Sequence, residues 1–223
     1  MKKAWILVCK IGNAISHLIF PCCCTHCHKL LDKRTIFCDS CLHMIRPIVS
    51  SSIQLTETRS MKVIAVSAYR DPIRPLILAK RRSDIQAGKL LGQLIYDLTI
   101  FRSIPADYIV PIPLHWSRYA RRGFNQAEEI AKVLARKKGI PLAKLLKRIK
   151  KTEYQAGLSA QQRTLNVHEA FELVSKDIDW YRNKHIILVD DLLTTGSTVK
   201  AAAKVLLQVQ PASITIVVAA RVV

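Results

Sequence analysis

Apolar and polar positions follow two alternating periods through most of the chain after residue 60. Short apolar or alternating runs predict strands at 62–69, 107–113, 145–149, 186–189 and 213–219. Apolar residues that recur every three or four positions predict helices at 72–80, 87–101, 125–138 and 197–208. Strands that alternate with helices indicate an α/β fold, in which helices flank a mostly parallel sheet and ligands bind at its carboxyl edge.

The first 60 residues have a different pattern. Positions 1–20 place apolar residues at helical spacing and predict an amphipathic leader helix. Polar residues interrupt this segment and no small-residue cleavage site follows it, which argues against a secretion signal. Residues 21–45 are rich in cysteine, whereas 46–60 are polar and weakly periodic, which predicts a linker. The α/β domain is therefore expected at 61–223.

Length and hydrophobicity limit the architecture and the location. The chain has 223 residues, of which 50% are hydrophobic, and this is enough for one full α/β domain and a small appendage. No run reaches the roughly 18 uninterrupted apolar residues of a membrane span. We therefore expect a cytoplasmic protein without a membrane span.

The charge balance favours polyanionic partners such as nucleic acid. The chain carries 35 basic and 16 acidic residues, a formal charge of +19. Much of the excess lies at 118–151, where twelve basic residues accompany two acidic ones. We expect an anion-binding surface there, and the alternative is an ordinary solvated basic helix face.

Four cysteines form two Cys-X2-Cys hooks with ten residues between them: Cys24, Cys27, Cys38 and Cys41. Two such hooks suit tetrahedral Zn2+, since together they fill four coordination positions and leave none open for chemistry. We therefore expect a small structural zinc-binding domain whose folding depends on the metal. Disulfides are the alternative, although a cytosolic protein rarely keeps them. Neighbouring thiols and imidazoles leave ligand exchange open: Cys22, Cys23, His26, His28 and His43.

The run HIILVDDLLTTGST at 185–198 is the strongest candidate for ligand chemistry. An apolar strand ends in Asp190 and Asp191, and a turn of hydroxyls and glycine leads into a helix. Hydroxyls, the permissive Gly196 and the first helical N–H groups suit a phosphate monoester. The acid pair suits ribose hydroxyls, directly or through Mg2+, which prefers carboxylate and water oxygens. The expected sugar-phosphate-binding residues are Asp190, Asp191, Leu192, Leu193, Thr194, Thr195, Gly196, Ser197 and Thr198.

Two basic elements are further candidates for anion contacts. Arg121 and Arg122 precede a predicted helix N-terminus, so their guanidinium groups and the free N–H groups suit pyrophosphate or a DNA phosphate. Asn125 is expected to cap that helix and to lie at the same anion site. Lys80, with the basic residues at 81–82, is a weaker candidate, because a basic helix end is the simpler explanation.

Two other elements are open to more than one interpretation. Phe124 is expected either to stack on a base or to anchor its helix in the core. Gln155, Arg163 and Asn166 lie in a loop-like segment and are expected to form a polar cover that closes on ligand. Ordinary surface polarity explains these three side chains nearly as well.

Four motifs in order resemble the ComF family of DNA-uptake competence proteins. They are the CTHC and CDSC hooks, VPIPLHWSRYARRGFNQAEEIA at 110–131, QAGLSAQQRTLNVHEAF at 155–171, and VDDLLTTGST from Val189. The last motif is similar to the 5-phosphoribosyl-1-pyrophosphate (PRPP) loop of type I phosphoribosyltransferases. The resemblance implies a zinc-binding knot ahead of a type I phosphoribosyltransferase-like domain. It also implies a cytoplasmic role in natural transformation, with incoming single-stranded DNA as the partner.

Three functions are compatible with the sequence. The first is a competence protein that binds single-stranded DNA and keeps a pocket for PRPP and Mg2+, which the basic segment favours. The second is an active phosphoribosyltransferase that uses Asp190 and Asp191 as catalytic residues, with a base or nucleotide-related acceptor. A transcriptional regulator with PRPP as effector is the weakest, because no helix-turn-helix motif appears. DNA-processing proteins are further expected partners.

Overall fold

The computed structural model describes residues 22–33, 35–82, 84–149, 170–174 and 178–222. The leader helix predicted at 1–20 lies outside these residues, as does the predicted cover of Gln155, Arg163 and Asn166. The chain divides into two compact units, Met1–Ile45 and Arg46–Val223. Among the helices within the described ranges, none combines the length and the apolar character that a bilayer crossing requires.

The larger unit is built on a five-stranded sheet. The strands in chain order are β1 (Ile48–Gln54), β2 (Ser60–Ala68), β3 (Tyr108–Pro111), β4 (Leu146–Arg148), β5 (Phe171–Leu173), β6 (His185–Leu193) and β7 (Ser213–Arg221). The sheet has the order β1-β2-β7-β6-β3, and its neighbouring strands are parallel except for β1 and β2. The middle of β6 and most of β7 are buried, which explains their apolar runs. The predicted mostly parallel sheet is confirmed.

Helices connect the strands. They are α1 (Asp39–His43), α2 (Ile73–Leu78), α3 (Ile85–Leu98), α4 (Trp116–Arg122), α5 (Gln126–Lys138) and α6 (Ser197–Leu206). A 3-10 turn, Ala79–Arg82, follows α2. Helices α3 and α5 pack closely, because a Cβ at Gly92 would lie only 2.8 Å from Cβ of Val133. A residue without a side chain is therefore needed at this crossing.

The sequence predicted a linker at 46–60. This prediction is wrong, because the segment contains strand β1. This strand pairs antiparallel with β2, from Ile48 opposite Ala65 to Gln54 opposite Ser60. The polar composition of this segment concealed the strand, because β1 lies at the sheet edge, where polar residues are tolerated. Ile53 nevertheless packs against the hydrophobic core.

Two other elements differ from the prediction. The strand predicted at 145–149 does not join the parallel sheet, since β4 pairs antiparallel with β5 and places Arg148 opposite Phe171. Helix α4 was not predicted at all. None of its residues is buried, so it has no apolar periodicity for a sequence pattern to show.

Candidate functional site

The two adjacent acids lie inside strand β6 and not in the loop that follows it. Asp190 pairs with Val218 of β7, and the strand continues to Leu193, beyond the end predicted at 189. The N–H of Asp191 donates to Oδ1 of Asp190 at 2.8 Å. The two carboxyl groups lie close enough for a side-chain hydrogen bond between them, and Lys80 acts on both.

Lys80 reaches one of these acids from a distant part of the sequence. Its ammonium group forms an ion pair with Oδ2 of Asp191, and both side chains are largely buried. The 3-10 turn Ala79–Arg82 carries Lys80 to this position at the end of α2. The weakest of the predicted anion contacts thus lies directly at the acid pair.

The neighbours of Asp190 favour its protonated form. Burial raises the pKa of Asp190 to about 8, and the negative charge of Asp191 acts in the same direction. The N–H of Asp191 and the charge of Lys80 oppose this rise. A cation or a hydrogen-bond donor that approaches Asp190 would therefore release its proton near neutral pH.

A short turn at 194–196 connects β6 to α6 in the position predicted for the phosphate loop. Thr194 and Thr195 are exposed, and Oγ1 of Thr195 lies 3.0 Å from Oγ of Ser197. Gly196 occupies the N-cap and has no side chain to offer. Within the described residues, the weak 3.5 Å bond from Ser197 N–H to Thr195 Oγ1 is the one side-chain contact to the start of α6. The positive end of this helix is therefore open to an anion.

Gly196 and Leu193 fix the conformation of this turn against the rest of the α/β unit. Gly196 has φ of +79°, and a Cβ there would lie 3.2 Å from Cδ1 of Ile53 in β1. Leu193 is buried in the core, and its carbonyl accepts from the N–H of Val222 at 2.8 Å. The side chain of Leu193 therefore packs in the core, and a role of this residue in PRPP binding, through its backbone, stays a prediction.

Asn125 is occupied inside the protein. Its Nδ2 donates to the carbonyl of Ile112 at 2.8 Å, and its Oδ1 accepts from the N–H of Ala127 at 3.2 Å. The predicted helix cap is confirmed. The predicted contact between Asn125 and a phosphate is wrong, because the buried amide instead ties α5 to the segment after β3.

The arginines of the same motif end one helix and do not open the next. Arg121 and Arg122 form the last turn of α4, and Gly123 follows with φ of +77°. Arg121 is exposed and Arg122 is half-buried. Phe124 is only 4% exposed, so the prediction that it stacks on a base is wrong and its role as a core anchor is confirmed.

Several basic side chains of the segment 118–151 are paired with other groups of the protein. Lys132 pairs with Glu129 at 2.7 Å, and Lys144 pairs with Glu128 at 2.8 Å. The ammonium group of Lys138 donates to two backbone carbonyls after α3. The anion-binding surface predicted from the charge count is therefore smaller than the twelve basic residues suggested.

Arg148 is a site residue that the sequence analysis missed, because it was counted only within the basic run. It is buried on β4, and its guanidinium carbon lies 5.3 Å from the ring centroid of Phe171. Burial lowers the pKa of Arg148, the charge of Arg118 lowers it further, and Asp190 opposes both. The sequence pattern LKR at 146–148 does not distinguish Arg148 from the other basic residues of the run.

The described part of the smaller unit brings four thiols together. The sulfur atoms of the two hooks all lie within 4.8 Å of one another, and they belong to Cys24, Cys27, Cys38 and Cys41. The first hook is closed by the N–H of Cys24, which donates to the carbonyl of Lys29 at 2.9 Å. The second hook begins α1, and Cys41 lies within that helix. The four described thiols are free, so a disulfide does not explain their approach.

The thiols have unequal surroundings. Burial opposes ionisation of Cys24, but N–H groups of Cys27, Cys38 and His26 lower its pKa to about 6. Burial raises the pKa of Cys41 to about 12, and Nδ1 of His26 lies 3.3 Å from its sulfur. Four sulfur atoms at this spacing suit a tetrahedral soft metal such as zinc, which deprotonates its thiol ligands.

Comparison with known proteins agrees with this geometry. Residues 119–222 match the model of the phosphoribosyl transferase domain family. The chain is 34% identical to Competence protein F of Haemophilus influenzae, over 84% of this chain and 79% of that protein.

Two further relatives extend the comparison. DNA utilization protein YhgH of Salmonella typhi is 31% identical, over 90% of this chain and 89% of that protein. Competence protein ComFC of Bacillus subtilis is 37% identical, over 45% of this chain and 38% of that protein. The chain thus combines a cysteine cluster with a type I phosphoribosyltransferase-like domain, and it belongs to the ComF family.

Proposed function

We propose that the α/β unit binds PRPP together with Mg2+ at the carboxyl edge of its sheet. The 5-phosphate would lie at the turn 194–196, where hydroxyls and the open N-terminus of α6 face an anion. Asp190 and Asp191 would hold the ribose hydroxyls and Mg2+. The observation that carries this proposal is the placement of both acids at the end of β6, next to that helix.

Lys80 supports the same proposal. Its ion pair with Asp191 places a cation beside the acids, where the pyrophosphate of a bound PRPP would be expected. The lysine would then exchange part of its contact with Asp191 for a phosphate oxygen, while Mg2+ neutralises the acid. Arg148 adds a second buried cation on the side of Asp190.

We also propose that the cysteine cluster holds one structural zinc ion. The four sulfur atoms lie close enough to surround one central ion, and none of the described sulfur atoms is used in a disulfide. The described part of this unit, 22–33 and 35–45, is too short to bury a large core, so metal ligation would supply much of its folding free energy.

At the level of the cell, we propose a cytoplasmic competence protein that binds incoming single-stranded DNA during natural transformation. The named relatives are competence and DNA utilization proteins. The formal charge of +19 and the exposed Arg121 favour contact with a phosphate backbone. DNA-processing proteins are the expected protein partners of such a role.

Calorimetric titration of PRPP into the purified protein, with and without Mg2+, tests the ligand. We expect saturable binding that requires Mg2+. Inorganic phosphate and ribose 5-phosphate serve as controls that lack the pyrophosphate. If PRPP does not bind in the presence of Mg2+, the proposed ligand is wrong.

The second candidate is an active phosphoribosyltransferase. The raised pKa of Asp190 favours it, because a buried acid that titrates near neutral pH can exchange a proton during a reaction. Incubation with labelled PRPP and candidate bases or DNA, with pyrophosphate release as the signal, separates turnover from binding alone.

A further inference from the structure

Two large aromatic side chains lie exposed on helix α4. Trp116 is 74% exposed and Tyr119 is 50% exposed. They are three positions apart on the helix, so they share one face, and Ala120 extends that face without covering it. Adjacent exposed apolar side chains that form a contiguous patch often mark a surface that contacts a partner.

The helix holds these rings in a fixed position. Nδ1 of the buried His115 accepts from the N–H of Ser117 at 3.3 Å and lies 2.8 Å from the Ser117 hydroxyl. The imidazole also packs beside the Trp116 ring, with centroids 5.6 Å apart. At the other end, the N–H of Gly123 donates to the carbonyl of Tyr119 at 2.7 Å. A ligand would therefore meet a preorganised surface.

The same short helix is strongly basic. It contains Arg118, Arg121 and Arg122 and has no acidic residue. Arg121 is exposed near the carboxyl end of this helix. A second copy of this chain would meet the same positive charge and be repelled, whereas a polyanion with exposed ring systems complements both features.

Helix α4 lies at the carboxyl edge of the sheet that carries the acid pair. Helix α4 follows the carboxyl end of β3 and contacts the turn Ala79–Arg82, which brings Lys80 to Asp191. Arg118 is close enough to Arg148 to depress its pKa, and Arg148 in turn responds to the charge of Asp190. A strand lying on α4 would therefore pass the rim of the proposed sugar-phosphate site.

We propose that Trp116 and Tyr119 form a base-stacking platform for single-stranded DNA, with Arg121 contacting a backbone phosphate. The proposal rests on the DNA-binding function proposed above and specifies its surface. Unpaired bases present their ring faces to such side chains, whereas the paired bases of a duplex stack on one another. Stacking tolerates any sequence, which suits a protein that handles incoming DNA of arbitrary sequence.

The test compares two labelled ligands of equal length, oligo(dT) and an oligonucleotide with abasic sugars, by fluorescence anisotropy on the full chain. We expect Trp116→Ala and Tyr119→Ala each to weaken oligo(dT) binding by roughly 5- to 100-fold. Binding of the abasic ligand and the salt slope should stay at wild-type values, because phosphate contacts are intact. Trp116→Phe should restore most of the affinity.

Trp180 provides a matched control. It is 68% exposed in the turn Ile178–Tyr181, which precedes β6 and so lies at the amino edge of the sheet. Trp180→Ala should leave oligo(dT) affinity unchanged. Circular dichroism and the melting temperature of every variant should match those of the wild type, since all three side chains are exposed.

The possible results distinguish the proposed base-stacking platform from the proposed binding of single-stranded DNA. Wild-type affinity in the Trp116→Ala, Tyr119→Ala double variant would overturn the platform and leave DNA binding in place. Equal losses for oligo(dT) and for the abasic ligand would also overturn it, because a stacking role requires bases. A wild-type protein that binds neither ligand would overturn the proposed DNA binding itself.

Discussion

Lys80 and Asp191 are 111 positions apart in sequence and form a largely buried ion pair at the carboxyl edge of the sheet. The pair connects the turn after α2 with the end of β6, and it places a cation beside two adjacent carboxylates. Without that cation, the repulsion between the carboxylates of Asp190 and Asp191 would be opposed by the Asp191 N–H and by Arg148. The turn Ala79–Arg82 is therefore part of the candidate site and not only a basic helix end.

Lys80→Ala should lower the unfolding free energy by about 1–3 kcal/mol, because it leaves a largely buried carboxylate without its cation. It should also weaken binding of PRPP with Mg2+. Lys184→Ala is the matched control, since the Lys184–Asp107 pair is 3.8 Å long and much more exposed. That control should change stability by less than about 1 kcal/mol. Urea unfolding measures both, and equal effects of the two variants would contradict the assigned role of Lys80.

The raised pKa of Asp190 predicts a pH dependence of stability. The ordinary value is 3.8, and burial raises the pKa to about 8 in the folded chain. Between these values the folded state retains a proton that the unfolded state has released, so this contribution to stability is lost as the pH rises from about 4 to about 8.

Asp190→Asn mimics the protonated acid and should remove that contribution. Subtracting the melting temperatures of the variant from those of the wild type across the pH range isolates it from the other carboxylates. We expect the melting temperature of the variant to rise relative to that of the wild type as the pH rises. A difference that is constant with pH would show that Asp190 titrates normally.

Zinc content tests the cysteine cluster. Elemental analysis should find about one zinc per chain, and a strong chelator should unfold the smaller unit. Cys27→Ser should lose the metal, because Cys27 is one of the four converging thiols. Cys22→Ser is the control, since Cys22 lies outside the group and should keep wild-type zinc content. Metal-free, folded wild-type protein would contradict the site.

Arg121→Ala combined with Arg122→Ala should weaken binding of single-stranded DNA and flatten its salt dependence. Each lost phosphate contact should reduce the slope of log K against log salt by about 0.7. Lys132→Ala is a suitable control, because its charge is already paired with Glu129. Wild-type affinity and slope in the double variant would place the DNA contacts elsewhere.

The sequence predicted the features that depend on local pattern. The alternation of strands and helices gave the parallel sheet, and Asn125 was correctly expected to cap α5. The hook spacing identified the four cysteines that converge. These features follow from periodicity, capping chemistry and ligand spacing, each of which depends on residues close together in the sequence.

The remaining features depend on contacts between distant segments. No pattern around Lys80 indicates that it meets Asp191, and none around Ile53 indicates that it packs beneath Gly196. Phe124 shows the same limit, since one motif contains it together with Trp116 and Tyr119, and the fold buries Phe124 and exposes the other two. Burial is decided by the tertiary arrangement, so the aromatic side chain available to a base could not be chosen in advance.

The central claim is that the acids at the end of β6 and the turn after them bind an activated pentose phosphate. The most direct test is the shift in melting temperature that PRPP with Mg2+ produces in the wild type and in the Asp190→Asn, Asp191→Asn double variant. We expect a clear, saturable increase for the wild type and no increase for the double variant. An equal increase in both proteins would contradict the claim, because the ligand would then bind without the two acids.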